Sequence, residues 1–286
     1  MDLGSKGWGS GLIGVIIFSG SLPATRVAIA GFDPIFLTSI RAVIAAALAV
    51  TALMLWRQAR PARSDLAPLA IVAVGVVIGF PLLTSLALQH IPAARCIVFV
   101  GLLPLATAIC GVIRGGERPR AAFWLFSCGG SLIVALYAWS QSGDGSLFGD
   151  LMMLAAIFIC GLGYAEGAVL SRRLGGWQVI SWALVLAAPL MFALSAATWP
   201  SDWSGVTMPV WLGLGYVSVF SMWLGFVFWY RGLALGGIAG VGQLQLMQPF
   251  FGLFLASVLL GETVAWSMIA VTLLVVACVA GAKRFA

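Results

Sequence analysis

The chain has 286 residues, of which 62% are hydrophobic and 8% are charged, and its mean hydropathy is +1.10. A soluble domain carries about 25% charged residues, so this composition excludes a water-soluble globular protein. The formal net charge is +6, but the basic residues lie in short clusters between apolar runs. Such clusters are typical of membrane topology and give no reason to expect a nucleic-acid partner.

Ten apolar runs follow one another along the chain. Each is long enough for a helix to cross the ~30 Å hydrocarbon core of a bilayer. Because lipid offers no water to backbone groups, these runs are predicted to be helices. The fold class is therefore an all-α integral membrane protein with ten transmembrane helices. The predicted spans are residues 8–29, 34–55, 67–88, 93–113, 121–140, 148–170, 177–197, 210–231, 238–260 and 264–282.

The charges between the predicted spans indicate the orientation. If the N-terminus lies inside, the inner segments hold eleven of the 15 Lys and Arg residues. The outer loops hold only the acidic residues Asp33, Asp144, Asp202 and Glu262. This positive-inside bias predicts cytoplasmic N- and C-termini in an inner (plasma) membrane of bacterial type.

The five cysteines all lie within apolar runs and form no CxxC pair. Neither a disulfide framework nor a metal site is predicted from them, because a buried cysteine behaves as a small hydrophobe. They are Cys96, Cys110, Cys128, Cys160 and Cys278.

A weak internal repeat divides the chain near Leu147, into residues 1–147 and residues 148–286. In each half a mid-helix proline is followed thirteen positions later by a glutamate. Five helices are an odd number, so the second copy is predicted to enter the membrane from the opposite side. Inverted repeats of this kind are common in secondary transporters, whose site lies near the midplane between them. The pairs at the shared offset of 145 residues are Leu88/Leu233, Pro104/Pro249 and Glu117/Glu262.

Three stretches carry a resemblance to a known family. They are DPIFLTSIR at 33–41, ALQHIPAAR at 87–95, and GLALGGIAG at 232–240 followed by QP at 248–249 and LLGE at 259–262. With them the chain resembles EamA-type members of the drug/metabolite transporter superfamily. The resemblance implies two inverted five-helix repeats around a central cavity lined by helices 1, 3, 4, 6, 8 and 9. Among these members the chain is most similar to YddG-type exporters of aromatic and other neutral amino acids, which implies an amino-acid substrate.

Candidate cavity residues are polar or aromatic side chains at helical spacing, mostly in helices that contain a proline. Any one of them could instead be ordinary packing or lipid-facing surface, but amides pointing at lipid are unfavourable. Pro104 and Pro249 are predicted to break their helices about 16 Å deep, close to the middle of the bilayer, and so to flank the site. The candidates are Ser21, Thr25, Phe80, Thr84, Phe99, Tyr164, Trp223, Phe226, Gln245 and Gln248.

Three ionisable residues lie within or at the ends of predicted spans. Burying a charge in a bilayer is expensive, so each invites a functional explanation. Glu166 could couple or gate transport, or it could snorkel and pair with Arg172 or Arg173. For Arg41 the favoured interpretation is structural: its guanidinium would bind a backbone carbonyl or a lipid headgroup. His90, the single histidine, could titrate near neutrality as a coupling or gating residue, although a loop-facing role is favoured.

The function predicted from these patterns is secondary transport: export of small metabolites, foremost aromatic or neutral amino acids, by alternating access. A multidrug or other metabolite carrier of the same fold is the alternative, and a channel is a further one. No Walker motif occurs, and one histidine with one buried glutamate does not assemble an enzyme site, so no enzyme and no cofactor are predicted. The expected partners are a small-molecule substrate and the lipid bilayer, with the monomer as the functional unit.

Overall fold

A computed structural model of the chain describes residues 3–91, 96, 99–140, 146–252, 254 and 266–286. Within these residues the structure is helical and contains no strand, which confirms the all-α part of the predicted fold class. The α-helices with described bounds are α1 Leu3–Ser19, α2 Ser21–Ala28, α3 Pro34–Leu55, α4 Leu66–Val72, α5 Phe80–His90, α6 Leu103–Gly115, α7 Ala121–Ser140, α8 Leu147–Leu174, α9 Gly176–Ala197, α10 Met208–Gly215, α11 Gly225–Gly236, α12 Ile238–Gly242 and α13 Trp266–Phe285.

Six helical stretches in the described part of the chain are long and apolar enough to cross a membrane. Two helices, α3 and α7, have the same bounds as the predicted spans 34–55 and 121–140. Parts of the fourth, ninth and tenth predicted spans lie outside the described residues, as do Arg95, Asp144 and Glu262. The count of ten helices therefore stays a prediction.

Local chemistry explains where several helices begin and end. The Asp33 carboxylate accepts hydrogen bonds from the backbone N–H groups of Ile35 and Phe36, at 2.8 and 3.2 Å. With Pro34 in the first position, this is a well-capped helix start for α3. At the end of α6, Gly116 has a φ of +65°, a left-handed conformation that favours glycine.

Three helical stretches change their helical geometry part-way, and two of them are of membrane length. A π-helical turn, Ala73–Gly79, joins α4 to α5, and a second one, Tyr216–Leu224, joins α10 to α11. A 3₁₀ segment, Gln243–Met247, follows α12. Such changes interrupt the regular backbone hydrogen-bond ladder, and π-helical turns occur frequently at functional sites.

The outer surface of the bundle is apolar. Large hydrophobic residues such as Met54, Leu125, Phe158 and Phe192 are exposed by 66–73% of their area. A surface of this kind suits lipid and would be a liability in water. The helices behind it pack closely in pairs: α1 with α11, α3 with α9, α5 with α8, α6 with α8, and α7 with α13.

Candidate functional site

A cavity lies between the two halves of the bundle, lined by side chains from most of the packed helices. The space between these side chains, mouth included, measures about 630 Å³, and the centre of a water molecule can occupy about 50 Å³ of it. That is room for a few waters, so the walls must separate to admit a metabolite. The lining residues are Phe18, Ser21, Leu22, Thr25, Arg41, Val76, Phe80, Pro81, Thr84, Val100, Leu103, Tyr164, Ser221, Met222, Phe226 and Gln248.

Seven of the ten cavity residues predicted from sequence line this space. They share helical spacing and a polar or aromatic side chain, which is the pattern that selected them. They are Ser21, Thr25, Phe80, Thr84, Tyr164, Phe226 and Gln248.

The other three predicted residues lie elsewhere. Gln245 is buried behind the wall, where its amide N–H donates to the Tyr164 hydroxyl at 3.3 Å, so it supports a lining residue. Phe99 packs into the hydrophobic core. Trp223 lines a separate cleft with Trp56 and Trp177, and its indole N–H donates to Ser181 at 3.0 Å.

Two hydrogen bonds tie the first helical stretch to the second half of the chain across the cavity wall. The Ser21 hydroxyl donates to the Ser221 hydroxyl at 2.7 Å. The Gln248 amide donates to the Phe18 carbonyl at 3.3 Å. This use of Gln248 satisfies a polar group that lipid would leave unpaired.

The two prolines of the repeat lie directly beside the cavity. Pro104 and Pro249 are buried, and the residue before each of them, Leu103 and Gln248, contributes to the lining. Pro104 stands in the first turn of α6, where the missing N–H costs nothing. Irregular backbone precedes both prolines, at Leu102 in one half and at Gln243–Met247 in the other. The helical backbone is therefore irregular just before each of the two prolines.

The π-helical turns also occupy corresponding positions in the two halves. They end at Gly79 and at Leu224, which differ by the same 145 residues as the prolines. The lining residues Val76 and Ser221 form another pair at that offset. Each half therefore contributes a π-helical turn and a broken helix to the cavity wall.

Arg41 is the charged lining residue that the sequence patterns did not assign to the cavity. It lies in α3, and the family resemblance does not place helix 2 in the cavity wall. Its side chain is buried and faces the cavity, and its Nε has no hydrogen-bond partner in the part of the chain that the structure describes. One sequence signal did point to a functional role for Arg41. It lies two helical turns beyond Pro34, at a membrane depth where burying a cation is costly.

Three ion pairs tie helix ends together on one side of the bundle, which we call the basic face. They join Arg114 to Glu166, Arg172 to Glu117 and Arg173 to Asp65. Arg114 Nε donates to Glu166 Oε2 at 2.6 Å. Arg173 contacts Asp65 at 2.7 Å. Glu166 does not pair with Arg172 or Arg173 in the structure, so that predicted pairing was wrong. Glu166 is buried outside the cavity lining, beside an arginine that is half exposed.

Glu117, the glutamate of the repeat in the first half, caps a helix of the second half. Its two carboxylate oxygens accept the backbone N–H groups of Ile238 and Ala239, both at 2.7 Å. Arg172 contacts the same carboxylate at 3.2 Å. An acidic group at a helix N-terminus satisfies free donors and suits the helix dipole. Glu117 therefore fixes the start of α12.

His90 lies at the end of α5, on the exposed surface, with its ring 5.1 Å from the ring of Phe148 in an edge-to-face arrangement. It does not line the cavity. Among the described residues no group of three or more His, Cys, Asp or Glu side chains is placed to hold a metal ion.

Comparison with known proteins shows the family of this chain. The model of the EamA-like transporter family matches the chain twice, at residues 5–139 and 147–282. The chain belongs to the EamA-like transporter family. An uncharacterized transporter, YdeK of Bacillus subtilis (strain 168), is 63% identical over 286 residues, with full coverage of both chains.

One solved crystal structure has the same fold as this chain. Its TM-score is 0.81 at 19% identity, covering 98% of this chain and 99% of the other. As an EamA-like transporter, the protein moves a solute across a membrane, and the central cavity is the candidate place where that solute binds. Transport of this kind is not an enzymatic activity.

Proposed function

We propose that this EamA-like transporter exports neutral amino acids, aromatic ones foremost, by alternating access of the central cavity. The observation that carries the proposal is the cavity itself, walled from both halves by side chains beside a matched pair of prolines. Matched helix interruptions in two halves are the best sequence pointer to a transporter's binding site.

The packing of the helices supports an inverted repeat. Under a five-helix repeat, the contact of α1 with α11 corresponds to the contact of α8 with α5, and both contacts occur. The counterpart of α3 in the second half is α9, and that of α7 is α13. A pseudo-two-fold axis therefore relates each of these pairs to itself, and both pairs are in contact. Rocking of one repeat against the other would open the cavity to one side at a time.

The preference for aromatic substrates rests on three rings of the cavity wall. The Phe18 and Phe226 ring centroids lie 5.0 Å apart, and those of Tyr164 and Phe226 lie 6.0 Å apart. Edge-to-face arrangements of this kind leave faces and edges on which another ring packs favourably. The hydroxyls of Ser21 and Thr84 add polar groups for the backbone of an amino acid.

The proposed setting is a bacterial-type inner membrane with both termini in the cytoplasm. The basic face gathers Arg114, Arg172 and Arg173 on one side of the bundle, and Lys283 lies 4.6 Å from the Trp8 ring near the two chain ends. Positive residues favour the cytoplasmic side. Both halves of the chain contribute side chains to the cavity wall, and we propose the monomer as the functional unit.

Counterflow in proteoliposomes tests the proposal. Vesicles containing the purified full-length protein are loaded with one unlabelled amino acid, and uptake of a radiolabelled one is followed, with each of the twenty amino acids as internal substrate. We expect saturable exchange that is fastest with phenylalanine, tyrosine, tryptophan and the large aliphatic amino acids. Absence of exchange above that of empty liposomes with every amino acid would contradict the substrate assignment.

A multidrug carrier is the second candidate, because much of the cavity lining is apolar, including Leu22, Val100 and Met222. Many drugs that such carriers export are lipophilic cations, and the buried positive charge of Arg41 in the cavity would repel a cation. Efflux of a fluorescent lipophilic cation from the same proteoliposomes distinguishes the two. Protein-dependent cation efflux without amino-acid exchange would favour the drug carrier.

A further inference from the structure

We propose that Arg41 binds the carboxylate of the transported substrate and thereby restricts this transporter to solutes that carry one. The inference rests on the proposed function and deepens it by naming the group that recognises the substrate. It also makes a claim that does not depend on amino acids, because any small carboxylate could satisfy the same side chain.

The position of Arg41 is the first observation. It lies seven residues into α3 from Pro34, which at 1.5 Å per residue places it about 10 Å from the helix start. Its side chain is 95% buried, yet it faces the cavity. At this depth a guanidinium has few routes to water other than the cavity.

The second observation is the lack of a counter-charge. No ion pair of Arg41 occurs among the described residues, and its buried Nε has no hydrogen-bond partner there. Asp65, Glu117 and Glu166 are each engaged with other arginines on the basic face. A buried and unpaired charge destabilises the fold, so an unpaired one that faces a cavity is suited to an anionic ligand.

The cavity lining has one charged side chain and no carboxylate among its described members. The remaining polar groups are hydroxyls and one amide, including the buried Thr84 hydroxyl, which also lacks a partner in the described part of the chain. Everything else in the wall is apolar or aromatic. The complementary solute is a small molecule with one anionic group, a few hydrogen-bonding groups and an apolar body.

A carboxylate is the anion that this arrangement favours. The guanidinium presents its donors in a planar fork that matches the two oxygens of a carboxylate, and charge-assisted hydrogen bonds are about twice as strong as neutral ones. Once the walls separate, a neutral amino acid would place its carboxylate on Arg41, its ammonium among the hydroxyls and its side chain on the rings of Phe18 and Phe226. Phosphate esters and dicarboxylates bring a second charge for which this lining holds no partner.

The test compares matched pairs of carboxylates and their amides. Phenylalanine is set against phenylalaninamide, and 3-phenylpropionate against 3-phenylpropionamide, each as a ligand in thermal-shift titrations and as a competitor of counterflow. For the wild-type protein we expect both carboxylates to bind and both amides to bind about ten-fold more weakly or not at all. Arg41→Gln should bring each carboxylate to the affinity of its amide, whereas Arg41→Lys should keep part of the preference.

Arg231→Gln is the matched control, since Arg231 is an exposed arginine of α11 outside the cavity lining. It should leave the preference for carboxylates unchanged. A preference that survives in Arg41→Gln would overturn the proposal and return Arg41 to a structural tie. If Arg41→Gln does not fold, the wild-type protein and Arg41→Lys decide: equal binding of acid and amide by the wild type also overturns it.

The same measurements separate the failure of this inference from the failure of the proposed function. Binding of 3-phenylpropionate that depends on Arg41, without exchange of any amino acid, supports Arg41 as the carboxylate site and rejects amino-acid export. Exchange of amino acids that is equally fast in the wild type and in Arg41→Gln supports export and rejects the role of Arg41.

Discussion

At the scale of single residues, ionisable side chains have different environments according to where they lie. Glu166 has its counter-ion at 2.6 Å on the basic face, whereas Arg41 faces the cavity without one among the described residues. A paired charge is satisfied before any substrate arrives, and an unpaired one is available to bind. This contrast separates the structural charge from the candidate binding charge.

The variant Glu166→Gln tests the structural role of the Glu166 carboxylate. The substitution removes the charge that Arg114 contacts, and the partly exposed arginine can turn to water, so we expect a loss of about 1–2 kcal/mol of stability, seen as a lower melting temperature. Because Glu166 lies outside the cavity lining, the pH profile of transport between about pH 5 and pH 8 should not change. A shifted profile would instead identify Glu166 as a proton-coupling residue.

A second prediction at the residue scale concerns Gly232, where α11 touches α1. A Cβ at Gly232 would lie 2.6 Å from the backbone nitrogen of Gly11, a distance that requires the two backbones to move apart. Small residues at a helix interface permit such close approach in membranes. We expect Gly232→Ala to destabilise the protein by about 1–3 kcal/mol.

Gly9→Ala is the control for that measurement. Gly9 lies in α1, and a Cβ there would meet nothing within 4 Å. Alanine is the better helix former, so this variant should be as stable as the wild type or slightly more so. Equal melting temperatures for the two variants in detergent would contradict the close-packing explanation for Gly232.

At the scale of helices, the structure uses side chains of one half to fix helices of the other. Glu117 follows the end of α6 and accepts hydrogen bonds from the first two N–H groups of α12. The stretch that begins with α12 also carries Gln245 and Gln248. A loop residue of the first half therefore positions part of the cavity wall that belongs to the second.

Glu117→Ala tests this connection. Loss of a helix cap costs about 1–2 kcal/mol, and the start of α12 should become more mobile because two N–H groups lose their acceptor. We expect a lower melting temperature and faster hydrogen exchange at Ile238 and Ala239, measured by mass spectrometry. Arg118→Ala, at the exposed neighbouring residue, is the control and should change neither. Unchanged exchange in Glu117→Ala would show that the cap is dispensable.

At the scale of the whole molecule, the proposal requires a wet cavity between the halves. In a background without native cysteines, Leu103→Cys and Gln248→Cys place a thiol beside each proline, on the cavity lining. Both should react with a water-soluble thiol reagent, and substrate should slow the reaction at one or both positions. Leu246→Cys, at a buried position of the 3₁₀ segment that does not line the cavity, should remain unlabelled. If neither cavity cysteine reacts from either side of the membrane, the assignment of the site fails.

The second prediction at this scale concerns topology. Reporter fusions at Phe285 and in the loop at Asp144 should lie in opposite compartments, with Phe285 in the cytoplasm, because the basic clusters favour that side. Alkaline phosphatase and green fluorescent protein fusions, active on opposite sides of the membrane, measure this directly. The same compartment for both positions would contradict ten helices in two inverted repeats.

Much of the fold was predictable from the sequence because its determinants are local. The length of an apolar run decides whether a helix spans lipid, and helical spacing decides which side chains share a face. Both rules act within about twenty residues. They explain why α3 and α7 have their predicted bounds, why Ser21 and Thr25 share one helix face, and why Phe80 and Thr84 share another. The proline pair was visible for the same reason, since a proline inside a helix removes a backbone hydrogen bond of that helix.

The rest depended on contacts between residues far apart in the chain. Spacing alone did not distinguish Trp223, in its own cleft, from Phe226, in the central cavity, because that depends on how α9 packs beside α11. The pairing of Glu166 with Arg114 joins residues 52 apart, and the cap formed by Glu117 reaches 121 residues along the chain. Which face of a helix is lipid, packing or cavity is set by its neighbours, and for Arg41 only the tertiary structure decided that it faces the cavity.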